Sequence, residues 1–354
     1  MDRMAFVMAG GGGERFWPLS TPERPKQLLR LASPDESLLQ EAVSRLLQVL
    51  PCEAIHVATA AGLEDAIRGG ESRLPAGNFT SEPTRRNTLG CMVWTAAHAR
   101  ARHHDDVVLA YLTADHRIVG AGEFRAALES CLAAAERHDA LVTIGVRPSR
   151  PETGYGYIEP GERLPDAGEP LHRVGRFHEK PSRELAGQYL ASGFLWNSGM
   201  FFWRLSVFER ELRAALPEAA DCREAIVSRL RAGDALGAAE AFARLPSISI
   251  DHALLEKCPR RLMALGAFLW DDMGSWDALG RTRGADPDGN VLEGEACLEG
   301  TRDSIVCNHA GKAMKVAVIG AEGLVVVVTD DAVLVVPKDR AQEVRAAARH
   351  WAGK

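Results

Sequence analysis

Along roughly the first 265 residues, short runs of consecutive apolar residues alternate with stretches in which apolar positions recur every three or four residues. The runs at 5–8, 54–59, 107–112 and 141–146 have the length and composition of buried strands, and 171–178 is a further strand candidate. Between them, 38–50 and 124–137 carry the helical period. Ser37 and Gln40 stand at capping-box spacing ahead of the first of these helices. Such alternation predicts an α/β fold, a mostly parallel sheet with helices on both sides. Ligands then gather beyond the carboxyl ends of the strands.

The texture changes near Asp286, where "DPDGN" is a cluster of turn residues. After it, short β-like pieces run to about Pro337, and a helix over 340–351 closes the chain. Two apolar runs, 324–328 and 332–336, are separated by Thr329-Asp330-Asp331 and read as a hairpin, far too short to span a bilayer. The pattern divides the chain into residues 1–284 and a small β-rich domain, 285–354. For that domain the two readings are a short left-handed β-helix and a dimerisation element. No repeat in it is regular enough to define a hexapeptide solenoid.

Composition narrows the functional class. The 354 residues are 46% hydrophobic and 25% charged, enough for a sizeable core. A net charge of −6 gives no basic field for a nucleic acid, so none is expected as a partner. The seven cysteines include no CxxC pair, which points to a reducing compartment. The N-terminal apolar run ends in glycines and not in a cleavage site, so a cytoplasmic protein without membrane attachment is expected.

Candidate chemistry begins at residues 7–20, "VMAGGGGERFWPLS". Four glycines, Gly10, Gly11, Gly12 and Gly13, directly follow the first strand and let the backbone approach an anion. A P-loop requires Gly-Lys-Ser/Thr where this chain has Gly13-Glu14-Arg15, and the dinucleotide fingerprint requires a glycine where Arg15 stands. Both spacings fail. What remains is a glycine loop that delivers Arg15, followed by "RPKQLL" with Lys26, and amides plus two cations suit a triphosphate.

With these residues the sequence resembles the sugar-1-phosphate nucleotidyltransferases, and its Trp-Pro-Leu-Ser points to their mannose-1-phosphate guanylyltransferase branch. The blocks "EPTRRNT", "LTADH", "RPETGYGYIEP", "FHEKP", "LWNSGMFFW", "SIDHALLEK" and "DDMGSWDAL" follow in that family's order, up to about residue 280. The resemblance implies a Rossmann-like catalytic domain acting on GTP and a sugar-1-phosphate, mannose-1-phosphate first among them, with Mg²⁺ or another divalent metal. It implies Asp115 and Asp272 as metal ligands. Nucleotide contacts fall to the glycine loop, Glu14, Arg15, Lys26, Arg86, Asn87, Thr88 and Asp115. Gly154, Tyr155, Gly156, Glu179, Lys180 and Asn197 line the sugar-phosphate site, and Arg15, Lys26, Asp115 and Lys180 form the catalytic set.

Read alone, "EKP" fits better as a salt-bridged strand end, and Trp196, Phe201, Phe202 and Trp203 fit the core better than a stacking platform. Departures from the family pattern include Glu14, Thr113-Ala114, Leu89-Gly90-Cys91, Asp271 and His252. They leave every charge of the expected chemistry in place but leave the sugar open, with another hexose- or heptose-1-phosphate as the alternative. A catalytically silent regulatory subunit and a nicotinamide-dependent dehydrogenase are the rival classes. Length leaves no room for the isomerase domain of larger relatives, so isomerase activity is not expected, and a homodimer is.

Overall fold

The computed structural model describes residues 1–103, 105–165 and 171–352. The first apolar runs form β1 (Asp2–Met8), β2 (Ile55–Ala60), β3 (Phe79–Glu82) and β4 (Val107–Thr113), all parallel and in the order β3-β2-β1-β4. Their connections carry α1 (Leu38–Leu47), α2 (Glu64–Gly70) and α3 (Asn87–Arg102). The start of α1 is fixed as its sequence predicts: Ser37 accepts from the Gln40 amide, and the Gln40 side chain accepts from the Ser37 amide.

Next come β5 (Arg117–Val119), α4 (Ala121–Arg137), β6 (Leu141–Val146), β7 (Gly156–Arg163), β8 (Leu171–Glu179), α5 (Arg183–Ala191) and β9 (Leu195–Arg204). Three helices follow, α6 (Leu205–Ala215), α7 (Pro217–Arg231) and α8 (Ala235–Ala243), then β10 (Arg261–Gly266), β11 (Leu269–Asp271) and α9 (Ala278–Thr282). The main sheet has nine strands in the order β3-β2-β1-β4-β9-β6-β10-β8-β7. It is parallel as far as β4, and β6 and β10 are parallel to each other. The strand β9, however, runs antiparallel between β4 and β6, and β7 and β8 pair antiparallel at the edge. In β8, which lies between β10 and the edge strand β7, only Leu171, Val174 and Phe177 are buried, so much of the strand is solvated.

Along β9 the aromatic residues take opposite sides. Trp196 and Phe202 enter the core on the α1 and α4 side, whereas Phe201 and Trp203 enter the core beneath α3 and α6–α8. All four are buried, as the sequence reading expects of core residues.

Beyond α9 the chain coils. The strands β12 (Val291–Glu293), β14 (Ile305–Asn308) and β16 (Leu324–Val328) stack in parallel, with Val291, Ile305 and Val325 in register. A second face stacks β13 (Cys297–Glu299) on β15 (Ala317–Ile319). This is the geometry of a short parallel β-helix. The predicted hairpin is present, β16 turning into the antiparallel β17 (Val333–Pro337). A 3₁₀ turn, Lys338–Glu343, then leads into α10 (Val344–Ala352). A third core joins this tail to the glycine loop: Ile305, Val325 and Val344 pack with Phe16, Leu19 and Trp276. Among the described residues no helix is long and apolar enough to cross a membrane, and all seven cysteines are free.

Candidate active site

The glycine loop leaves the carboxyl end of β1 and is pinned from below. Gln27 Nε2 donates to the Gly11 carbonyl at 2.9 Å, and Ser20 Oγ donates to that of Gly12 at 3.3 Å. Gly13 has φ 65°, and a Cβ there would lie 2.5 Å from both Lys26 Cβ and Ser20 Oγ. The turn therefore requires glycine.

Its tightness seats Lys26, 6% exposed, beneath the loop. From there Lys26 Nζ donates to Asp115 Oδ2 at 2.9 Å and to the Asp272 carbonyl at 3.1 Å. These two aspartates come from distant parts of the chain. Asp115 follows β4, Asp272 follows β11, and β5 pairs antiparallel with β11, setting Arg117 opposite Asp271. That small ladder brings the two acidic loops together. Burial would raise the Asp115 carboxyl, but the Lys26 charge and hydrogen bond, with His116 and Arg15, outweigh it and hold the group below its ordinary range. Asp272 Oδ1 accepts from the Tyr155 hydroxyl at 2.6 Å and from the Gly274 amide at 3.0 Å. Arg150 donates in turn to the Tyr155 hydroxyl at 3.2 Å. Tyr155 thus orients an acidic side chain from an aromatic nest with Trp196 and Trp270, whereas the sequence places it against the sugar.

Asp271 points elsewhere. Arg281 grips its carboxylate at 2.8 Å, and the Met273 amide donates to it at 2.9 Å, so this extra acid is tied into the framework. The Asp115 carboxylate and the Asp272 main chain both meet the Lys26 ammonium, and the Asp272 carboxylate hangs from the same short loop. Two such hard carboxylates form a donor set that suits a divalent cation with oxygen preference. Asp115 and Asp272 are the residues able to hold it.

Two adjoining cavities open over the glycine loop. One, about 320 Å³, is lined by Gly11–Gly13, Arg15, Lys26 and Arg85. The other, about 300 Å³, is lined by Met8, Gly10, Ala60, Glu82, Cys91 and Thr113 together with Arg86, Asn87 and Thr88. Of the arginine pair in "TRRN", Arg85 faces both cavities, while Arg86 donates to the Ala243 carbonyl and so fastens the loop to the end of α8. Thr88 Oγ1 accepts from the Ile250 amide at 2.9 Å, and Asn87 accepts locally from the Thr88 amide. The expected nucleotide contacts from this block are therefore partly committed to structure, and Arg85 was missed, having no spacing rule to separate it from its neighbour. Glu82 was missed as well. It closes β3, is 6% exposed, and burial pushes its carboxyl up to about 7. Arg15 reaches across to Gln342 Oε1 at 2.9 Å.

On the far side of Asp272 lies the second expected subsite. Glu179 ends β8 with its carboxylate buried and pairs with Lys180, whose amide donates to the Tyr155 carbonyl at 3.2 Å. A Cβ on Gly156 would fall 2.6 Å from Glu179 Oε2, so this glycine makes room for the acid, and Gly154 lies exposed beside it. Asn197 accepts from Thr143 Oγ1 at 3.1 Å and donates to Asp251 Oδ1 at 2.9 Å. Burial, then the Glu179 charge, raises Asp251 to about 7. Asp251 opens a π-helical turn, Asp251–Leu255, a device frequent at functional sites. It was visible only as part of "SIDHALLEK".

A glycine-rich anion loop at the carboxyl edge of an α/β sheet, two converging acids and a flanking acid–lysine pair define an enzyme of nucleotide transfer. Comparison with known proteins agrees. The nucleotidyl transferase family model matches residues 4–287, and a mannose-P isomerase/GMP-like β-helix domain matches residues 299–349. A mannose-1-phosphate guanylyltransferase of Escherichia coli is 37% identical over 350 residues, 96% of this chain and 72% of that protein. The alginate biosynthesis protein AlgA of Pseudomonas aeruginosa is 35% identical, over 96% of this chain and 70% of its own. A crystal structure from Thermus thermophilus, described as a mannose-1-phosphate geranyltransferase, superposes with a TM-score of 0.87 at 38% identity, covering 99% of each chain. The chain belongs to the nucleotidyl transferase family, in its mannose-1-phosphate guanylyltransferase branch. Nucleoside triphosphates and sugar-1-phosphates are the substrates this family implies, with a divalent metal.

Proposed function

We propose that the protein forms GDP-mannose and pyrophosphate from GTP and mannose-1-phosphate. A phosphate oxygen of the sugar phosphate attacks the α-phosphorus; the new P–O bond forms as the bond to the β-phosphate breaks, and pyrophosphate leaves. The nucleophile is already an anion, so no covalent enzyme intermediate is required, and the protein's task is positioning and charge neutralisation. The glycine-loop amides, Arg15, Lys26 and Arg85 hold the leaving phosphates. Lys180 offsets repulsion between the two anions, and Glu179, Asn197 and Asp251 face the sugar hydroxyls. Mg²⁺, held by Asp115 and Asp272, would neutralise charge on the reacting phosphates. Tyr155 keeps Asp272 oriented toward that position.

The single observation that carries the reading is that Lys26, directly beneath the glycine loop, bonds both the Asp115 carboxylate and the Asp272 main-chain carbonyl and so ties the two acidic loops together. Guanine is supported by Glu82, whose carboxylate lines the adjoining cavity. A carboxylate there accepts from the N1 and N2 donors of guanine, a pattern adenine lacks. We place the boundary between catalytic and β-rich domains at 284/285 and the protein in the cytoplasm. We also propose a homodimer through the tail, where Ile319, Val333 and Val335 are exposed. The test is product identification by mass after incubating GTP, ATP, UTP or CTP with mannose-, glucose- or a heptose-1-phosphate. GDP-mannose as the dominant product supports the assignment. A GDP-linked product of another sugar moves the substrate, and no nucleotide sugar from any pair refutes the activity.

A further inference from the structure

The C-terminal helix lies against the catalytic loop. Val344 of α10 is buried in the same core as Phe16 and Trp276. Just ahead of it, Gln342 accepts from Arg15 and donates through Nε2 to Ser275 Oγ at 2.9 Å. One side chain of the tail thus touches both the glycine loop and the loop carrying Asp272. One turn apart on the helix, Arg345 and Arg349 line the cavity over the glycines. Arg349 Nε pairs with Glu14 Oε2 at 3.1 Å, both side chains well exposed. Arg345 makes no side-chain hydrogen bond or ion pair among the described residues. Around this cavity Arg15, Lys26, Arg85, Arg345 and Arg349 face only two acids, Glu14 and Asp115. Lys26 is already matched to Asp115. The surplus is cationic, in a chain whose net charge is −6.

We infer that α10 supplies two of the cations that bind the β- and γ-phosphates, Arg345 and Arg349, with Glu14 holding Arg349 until the triphosphate replaces it. This rests on the reading of the cleft as a triphosphate site. An exposed ion pair such as Glu14–Arg349 is weak and readily exchanged for a phosphate. The arrangement makes the β-rich tail part of the nucleotide site.

Calorimetric titration of the full-length protein with GTP and with GMP tests the inference without sugar phosphate. R345A and R349A should each weaken GTP about tenfold, the loss of one partly exposed charge-assisted contact, and leave GMP within about twofold. E14Q should tighten GTP. R173A, on the exposed face of β8, should bind as the wild type does. Thermal melts show whether each variant is folded, and the charge-keeping R345K and R349K should restore most of the affinity. Unchanged GTP affinity in folded R345A and R349A, with the wild type binding GTP, overturns the inference. A wild type that binds no GTP overturns the guanylyltransferase reading itself.

Discussion

Replacing Glu82 with glutamine separates what this carboxylate does to the fold from what it does for the ligand. Burial raises its pKa from 4.5 to about 7. At 1.36 kcal/mol per unit, that makes the ionised carboxylate about 3 kcal/mol less favourable in the folded protein than in the unfolded chain. The sign follows from proton binding. Between about pH 4.5 and 7 the unfolded chain has released this proton while the folded protein keeps it, so stability falls as pH rises through that window. Glutamine carries no such cost, so E82Q should be the more stable protein above about pH 7, and the difference should vanish near pH 4. Guanine binding should move the other way. Loss of an ionic acceptor facing two N–H groups is worth roughly 1.5–3 kcal/mol, about ten- to hundredfold in GTP affinity, with less effect on ATP. Thermal melts across pH, paired with calorimetric titration by GTP and ATP, read both effects. An E82Q protein that is less stable at about pH 8, or that separates GTP from ATP as well as the wild type does, would refute the reasoning.

Further outcomes follow from the same geometry. Asp251 is also raised to about 7 by burial and by Glu179; D251N should therefore gain stability over the wild type as pH rises from about 4 to 7, measured by melting temperature. In G13A the new Cβ meets Lys26 and Ser20 at 2.5 Å with φ at 65°. Backbone strain alone costs about 1–2 kcal/mol, and GTP binding measured by titration should fall sharply. Wild-type affinity in G13A would show that the loop does not cradle the ligand. Y155F removes the 2.6 Å hydrogen bond that orients Asp272. Steady-state kinetics should show kcat reduced about tenfold or more with the mannose-1-phosphate KM little changed, as expected for a charge-assisted bond.

Much of the first half of the fold was legible because its strands are continuous apolar runs. The runs at 107–112 and 141–146 differ from β4 and β6 by at most one residue. The strand order was not legible. Nothing local in "LWNSGMFFW" says that β9 runs against β4 and β6, because that pairing is settled by chain segments far away in sequence. The same distinction governs the site. Gly13 and Asp115 were visible as residue types just beyond strand ends, and Lys26 as a cation in the segment after the glycine loop. Whether an arginine faces the ligand is a tertiary outcome: Arg86 is drawn to Ala243 while its neighbour Arg85 faces the cleft. Arg345 and Arg349 look like the solvated face of a terminal helix until Val344 packs beside Phe16. Asp271 and Asp272 are chemically identical in sequence, and only Arg281 and Tyr155 tell them apart.

The most direct test of the central claim is the rate of pyrophosphate release from GTP and mannose-1-phosphate with Mg²⁺, compared between the wild type and D115N. The account predicts steady release by the wild type and a rate about a hundred-fold or more lower in a D115N protein of unchanged circular dichroism, as expected when electrostatic stabilisation of the reacting phosphates is removed. Release at the wild-type rate by folded D115N would contradict it.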